Sequence, residues 1–164
     1  MSLLRRLTAR TIRFGALFAV FSLCLLLLSG LSQAGPNKPR PFKADVHGGA
    51  SPWPSDNPVY VHVDGEGTHL GRFGEDLTHY INLDFSFTGH AVFTAANGDT
   101  FETDFSGQLT PMPGSDWATF HVHHTIVRGT GRFHGASGSF DGTYGFFNMV
   151  TGEDLAGYDG TISY

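Results

Sequence analysis

The sequence predicts an all-β protein: a single antiparallel, eight-stranded closed barrel that follows a signal peptide and a proline-rich arm. Three observations support this fold. After Pro58 no stretch keeps the 3.6-residue periodicity of an amphipathic helix. Runs of strand length, rich in Phe, Val, Thr and Tyr, recur between Gly, Asn and Asp residues. Strands of about ten residues favour closure, because a closed barrel has no exposed edge. A two-sheet sandwich is the alternative.

Residues 1–34 have the features of a secretory signal peptide. They contain four arginines and no acidic residue, an apolar run at residues 14–28, and the small residues Ser32 and Ala34 before Gly35. The apolar run is shorter than the roughly 20 residues that a membrane span needs. We therefore expect cleavage after Ala34, a secreted protein that is extracellular or periplasmic, and no membrane contact after cleavage.

The charge balance changes once the predicted signal peptide is removed. The 15 acidic residues would then face six basic ones, a net charge of −9. This argues against a nucleic-acid partner, because neutralising phosphates requires a basic surface. The single cysteine, Cys24, lies in the signal peptide, so the exported chain would have no thiol nucleophile and no disulfide. No cofactor motif is present, and we expect no cofactor.

Residues 35–58 are predicted to form an extended arm or linker, because they hold six of the eight prolines. Within the arm, residues 42–47 alternate apolar and polar side chains, as an early edge strand would. The barrel domain is then expected to span residues 59–164.

The clearest strand prediction covers residues 77–88, where Leu77, His79, Ile81, Leu83, Phe85 and Phe87 share one face. Such strict alternation indicates that this face is buried. The pair Asn97-Gly98 suits a tight hairpin turn. The other predicted strands span residues 59–73, 90–96, 101–106, 117–128, 137–149 and 155–164.

The glycine-rich stretch at residues 129–140 does not fit a nucleotide-binding loop, because the required Gly and Gly-Lys positions are occupied by other residues. We interpret it as a turn in which Gly129 and Gly131 reverse the chain and Phe133 closes the barrel end. Gly135 and Gly138 would let the next strand begin tightly coiled.

The same stretch resembles the GGTG-x-F-x-x-A-x-G motif of dirigent proteins and the glycine-rich stretch of allene oxide cyclases. Residues 67–73 and 93–99 look like stretches of bacterial secreted barrels of the allene oxide cyclase type. The resemblance covers residues 59–164 and implies an eight-stranded barrel, a lumen for a hydrophobic small molecule, and dimeric or trimeric assembly. Its motifs are turns and hairpins, so no catalytic residue is carried over, and fold likeness does not imply activity.

Two histidines, His79 and His124, fall in the apolar registers of their strands. A neutral imidazole in an apolar lumen can orient a carbonyl or move a proton, so both are candidate catalytic residues. Core histidines bonded to a neighbouring hydroxyl or backbone group are the alternative. Four aromatic residues are expected to contact a ligand: Phe85, Phe120, Tyr144 and Tyr158.

The run His121-Val122-His123-His124 places His121 and His123 on one strand face, the spacing of a two-point metal contact. A zinc site needs three or four ligands, and His62 would be a third only if its strand pairs with this one. We therefore interpret the pair as a polar strand face and predict no metal site.

The leading functional hypothesis is a secreted barrel that binds a small hydrophobic or aromatic molecule in its lumen. The alternatives are a cofactor-independent isomerase or cyclase acting on a reactive apolar substrate, and a structural barrel with a filled core. A lumen well below the roughly 300 Å³ of a ligand pocket would favour the filled barrel.

Overall fold

A computed structural model describes residues 38–50 and 57–164, and in it eight antiparallel strands form a closed barrel, as predicted. Each strand pairs with the next, and the first pairs with the last. The strands are β1 (Arg40–Ala50), β2 (Val59–Gly67), β3 (Gly71–Ile81), β4 (Ser86–Ala95), β5 (Thr100–Pro111), β6 (Trp117–Gly129), β7 (Ser137–Asn148) and β8 (Glu153–Ser163). Among the described residues, no helix is long and apolar enough to cross a membrane.

Alternation of side chains explains why these segments pack as strands. In β2, Val59, Val61 and Val63 are buried, whereas the residues between them are exposed. Successive strand residues point to opposite faces, so the buried set faces the lumen and the exposed set faces solvent.

The predicted boundary between arm and barrel is wrong. Residues 40–50 lie inside the barrel as β1, where Val46 is opposite Gly65 of β2 and Ala156 of β8. The alternation at residues 42–47 therefore belongs to a fully paired strand, and Phe42 at its start is completely buried. Proline composition misassigned this segment, because only Pro41 falls within the strand. Residues 1–37 and 51–56, including the predicted signal peptide, lie outside the described residues.

The predicted strand at residues 77–88 is two strands joined by a turn at residues 82–85. The Asn82 N–H donates to the Ser86 carbonyl at 2.8 Å, and Asp84 accepts a hydrogen bond from the Ser86 hydroxyl at 2.6 Å. Phe85 adopts a left-handed backbone with φ of 62°. The alternating pattern continues by coincidence through a turn that contains neither Gly nor Pro. The prediction at residues 59–73 likewise divides, at residues 68–70, into β2 and β3.

The two ends of the barrel are built differently. At the plugged end, defined by the turns at residues 68–70, 96–99 and 130–136, Phe133 is fully buried and packs edge-on against Phe101 at 5.6 Å between ring centres. Gly131 begins this turn with φ of 55°. The prediction that Phe133 closes the barrel end is confirmed. The cavity end is defined by the turns at residues 82–85, 112–116 and 149–152.

Candidate functional site in the barrel lumen

An apolar cavity of about 60 Å³ lies in the lumen towards the cavity end, and all eight strands contribute to its wall. Its polar lining residues are His79, His124 and Tyr158. A buried water needs about 10–15 Å³ in this kind of measure, so the cavity has room for several waters or one small ring. It is well below the roughly 300 Å³ typical of pockets for drug-sized ligands.

Inward-facing glycines shape this wall. A Cβ atom at Gly107 would overlap the ring of Phe87, and one at Gly89 would overlap the ring of Phe105. Each ring therefore lies against the backbone of its neighbouring strand, which places it on the wall instead of across the lumen. Both rings line the cavity.

His124 on β6 is completely buried, and its ring stacks on Phe140 with 4.7 Å between ring centres. Its Nδ1 atom is 2.9 Å from the Thr103 hydroxyl, whereas Nε2 is buried without a hydrogen-bond partner. Burial, with a smaller contribution from the charge of His123, lowers the His124 pKa to about 3. The ring is therefore neutral at pH 7.

The hydrogen bond to Thr103 indicates which nitrogen of His124 carries the proton. If the Thr103 hydroxyl donates to Nδ1, the Nε2–H group is the one polar group left unpaired. The opposite tautomer leaves both the hydroxyl hydrogen and the Nε2 lone pair unpaired, which costs more. We therefore assign the proton to Nε2, where it can be donated to an acceptor atom.

His79 on β3 lies between two aromatic rings of the cavity wall. Its ring centre is 5.7 Å from that of Phe87 and 6.1 Å from that of Phe105. Its Nδ1 atom is buried without a hydrogen-bond partner, and burial lowers the His79 pKa to about 4. The lumen thus holds two neutral imidazoles, each with an unsatisfied nitrogen.

A buried acidic cluster accompanies them. Glu75 is completely buried, and the Tyr158 hydroxyl donates to its two carboxylate oxygens at 3.3 and 3.5 Å. Burial raises the Glu75 pKa well above its ordinary value, and the nearby Asp154 raises it further. Burial also raises the pKa of Asp154 to about 7. Burial and the charge of Glu75 raise the Tyr158 pKa.

Sequence reasoning missed Glu75 and Asp154. The pattern that reveals Glu75 is its position in the same register as the lumen residues Phe73 and Leu77. Asp154 shares the register of the buried Ala156 and Tyr158 in β8. Both residues could be found in the sequence as carboxyl side chains that occupy the apolar register of a strand.

Four of the six predicted site residues line the cavity: His79, His124, Phe120 and Tyr158. The other two, Phe85 and Tyr144, do not line it. Phe85 belongs to the turn between β3 and β4 and is not part of the cavity wall. A register shift between Gly142 and Tyr144 turns Tyr144 outward, and its hydroxyl donates to Asp45 at 2.8 Å.

The predicted polar face of β6 is also observed. His121 and His123 are exposed, and His123 Nδ1 is 2.6 Å from a carboxylate oxygen of Asp141. His62 cannot join them, because β2 pairs with β1 and β3 and not with β6. Instead, His62 lies 2.7 Å from Asp76. Nowhere in residues 38–50 and 57–164 do three or more His, Cys, Asp or Glu residues form a group that could hold a metal ion.

Comparison with known proteins yields no match to a family model, to a curated protein or to a solved structure.

Proposed function

We propose that the barrel binds one small, uncharged, mainly apolar molecule, about the size of a single ring, in the lumen cavity. The observation that carries this proposal is the pair of buried imidazole nitrogens, on His79 and His124, that have no partner in the wall of an apolar cavity. An unsatisfied buried polar group costs about 1–3 kcal/mol, which a ligand with one matching polar atom can recover.

The charges of the lumen restrict the ligand class. The described Lys and Arg residues contribute nothing to the cavity wall, and both imidazoles are neutral at pH 7. No group in the cavity wall therefore offers a positive charge to an anion. A carboxylate ligand is therefore disfavoured, whereas a carbonyl, ether or hydroxyl oxygen can accept a hydrogen bond from Nε2–H of His124.

The pKa values favour binding over the isomerase alternative. A general base is most effective when its pKa lies near the working pH. With pKa values of about 4 and 3, His79 and His124 are weak proton acceptors at neutral pH. Asp154, whose pKa of about 7 would suit a base, is not part of the cavity wall. Hydrogen bonding to a ligand demands no such proton transfer. The resemblance to dirigent proteins and allene oxide cyclases therefore supports the barrel architecture and carries no activity with it.

A filled structural barrel is the second candidate, and the cavity volume of about 60 Å³ favours it. In that case ordered water would satisfy the two imidazoles, since buried waters commonly pair with such groups. The two candidates differ in whether an organic molecule displaces that water.

Phenol and toluene form a suitable pair of probes, because they have nearly the same shape and differ in one polar atom. Their dissociation constants would be measured by NMR titration of the wild-type protein and the His124→Leu variant. We expect both probes to bind, and the variant to shift the ratio of affinities towards toluene by about tenfold, which corresponds to one net hydrogen bond.

The matched control is His121→Leu, which removes an exposed imidazole from the same strand and should leave both affinities unchanged. Failure of both probes to shift any lumen resonance at millimolar concentration would favour the filled barrel. Binding of both probes with a ratio insensitive to His124→Leu would show that the imidazole does not contact the ligand.

We also propose that the protein is exported and cleaved after Ala34, on the sequence features of residues 1–34. Intact-mass analysis of the exported protein tests this, with an N-terminus at Gly35 expected and one at Met1 contradicting it. Assembly as a homo-dimer or homo-trimer stays a prediction from the family resemblance, and sedimentation velocity would measure it.

A further inference from the structure

Exposed apolar side chains concentrate at the cavity end. Eight large apolar or aromatic residues are exposed in the described part of the chain, and six of them lie at this end. We call these six the apolar rim: Tyr60, Tyr80, Leu83, Met112, Phe146 and Val150. Leu83, Met112 and Val150 occupy three separate turns around the cavity end.

Two rim residues lie close along the chain to residues of the cavity wall. Ile81, which precedes the turn that carries Leu83, lines the cavity wall, and so does Phe147, the neighbour of Phe146. A molecule leaving the cavity at this end would therefore pass directly beside the rim.

Charge is distributed unequally between the two ends. All described Lys and Arg residues lie in the half of the barrel near the plugged end: Lys38, Arg40, Lys43, Arg72, Arg128 and Arg132. The cavity end has no described Lys or Arg and instead exposes the carboxylates of Asp84, Asp116 and Glu153. Hydrogen bonds from Ser86 lower the Asp84 pKa, so this group stays ionised beside Leu83.

We propose that the apolar rim docks on a zwitterionic, phosphocholine-type lipid bilayer. Choline ammonium groups form the outermost layer of such a surface, where they can meet the rim carboxylates and the faces of Tyr60 and Tyr80. Tyrosine is enriched at membrane interfaces because its ring and its hydroxyl suit the two sides of that boundary. The turn residues Leu83, Met112 and Val150 enter the layer below.

A fluid lipid surface fits this geometry better than a protein partner does. The apolar residues Leu83, Met112 and Val150 sit on three separate turns, and a carboxylate lies on or next to each turn. Lipids adjust to isolated tips, whereas a protein partner needs shape complementarity over a large area. The sequence predicts no membrane contact after cleavage, and docking of this kind changes that expectation without requiring a span.

Vesicle binding of the chain that begins at Gly35, the N-terminus expected after cleavage, tests the proposal. Co-sedimentation with phosphatidylcholine vesicles would be compared between the wild type and the double variant Leu83→Ser/Val150→Ser. We expect at least a tenfold loss of partitioning in the double variant. The matched control is Val127→Ser, an exposed valine near the plugged end, which should bind as the wild type does.

Phosphatidylglycerol vesicles form the second arm, because the rim carboxylates should make binding to an anionic surface weaker. A third measurement needs no rim variant: brominated phosphatidylcholine should quench the fluorescence of Trp117 at the cavity end in a Trp53→Phe background.

Absence of wild-type binding to phosphatidylcholine, as expected if the rim binds a protein, would overturn the proposal. Equal losses in the double variant and in Val127→Ser, or tighter binding to phosphatidylglycerol, would overturn it as well. None of these measurements depends on a lumen ligand.

Discussion

The plugged end and the cavity end use the same residue type, phenylalanine, to opposite effect. At the plugged end, Phe93 and Phe101 stack at 4.6 Å between ring centres, and Phe42, Phe133 and Phe140 pack around them. At the cavity end, Phe87 lies 6.2 Å from Phe105 and 6.4 Å from Phe120. The first set fills the lumen, whereas the second lines it.

The two sets of phenylalanines differ in where their rings lie, against the wall or inside the lumen. Gly107 lets Phe87 lie against the wall, whereas Phe133 enters the lumen from a turn and has no wall to lie against. Between the two ends sits a layer of buried polar side chains: Glu75, Thr103, His124 and Tyr158. The comparison indicates that packing at the plugged end stabilises the fold and lets the middle and the cavity end carry groups that are costly to bury.

The largest effect is expected from Phe101→Ala. Its ring contacts Phe42, Phe93 and Phe133, so truncation leaves a void that tightly packed neighbours cannot fill. We expect a loss of about 3–5 kcal/mol in the free energy of unfolding, measured by urea denaturation.

The matched variant at the cavity end is Phe147→Ala. Phe147 borders a cavity, so fewer contacts are lost, and the cost should be at or below about 3 kcal/mol, the bottom of the range for Phe→Ala changes. Equal losses for the two variants would show that the plugged end and the cavity end are packed alike.

A second prediction concerns acid stability. The native pKa values of His79 and His124, about 4 and 3, lie below the ordinary 6.5, so between these values the unfolded chain binds more protons. Their contribution to stability is complete above pH 6.5 and declines as the pH falls towards 4. In His124→Gln, unfolding at pH 5 should take up about one proton fewer than in the wild type.

The proton uptake is obtained from the slope of unfolding free energy against pH. His121→Gln, which removes an exposed imidazole from the same strand, is the control and should keep the wild-type slope. An unchanged slope in His124→Gln would mean that His124 is protonated in the native state.

The fold was largely predictable because side-chain alternation is a local pattern. It located most strands, and the Asn97-Gly98 turn and the Phe133 plug are confirmed. The failures have physical causes. The turn at residues 82–85 is held by Asp84 and Ser86 without Gly or Pro, so composition does not reveal it. The high proline content of residues 35–58 predicts an arm, but residues 40–50 form strand β1, as the alternating pattern of residues 42–47 indicates.

The candidate site was predictable only where register continues without interruption. Side-chain alternation continues without interruption through the strand segments that carry His79, His124, Phe120 and Tyr158, and all four line the cavity, although the pairing of β6 with β7 shifts between Thr119 and His123. Tyr144 follows a register shift that reverses its direction, and a shift of this kind has no clear sequence pattern. Which nitrogen of each imidazole lacks a partner depends on contacts between distant strands, which a single sequence does not show.

A smaller effect should follow from Gly107→Ala. The added Cβ would meet the backbone oxygen of His121 as well as the ring of Phe87, and the backbone cannot move aside. We expect a loss of about 1–3 kcal/mol in unfolding free energy. The control is Gly74→Ala, whose Cβ would lie 3.4 Å from the movable ring of His62. A tolerated Gly107→Ala would show that Phe87 is not fixed against the wall.

The last prediction concerns Asp154→Asn, and the sign of its pH dependence is opposite to that of the histidines. Burial raises the Asp154 pKa to about 7, so between its ordinary value of 3.8 and pH 7 the native state binds more protons than the unfolded chain does. The stability that this group contributes is present at pH 4 and is lost as the pH rises to 7. Asparagine cannot ionise, so the variant should match the wild type at pH 4 and melt at a higher temperature than the wild type at pH 8. Asp159→Asn, an exposed change on the same strand that breaks an ion pair with Lys43, should show no such gain. A lower melting temperature of Asp154→Asn at pH 8 would mean that the ionised carboxylate is stabilised by a partner, and the acidic cluster would then be a charged site.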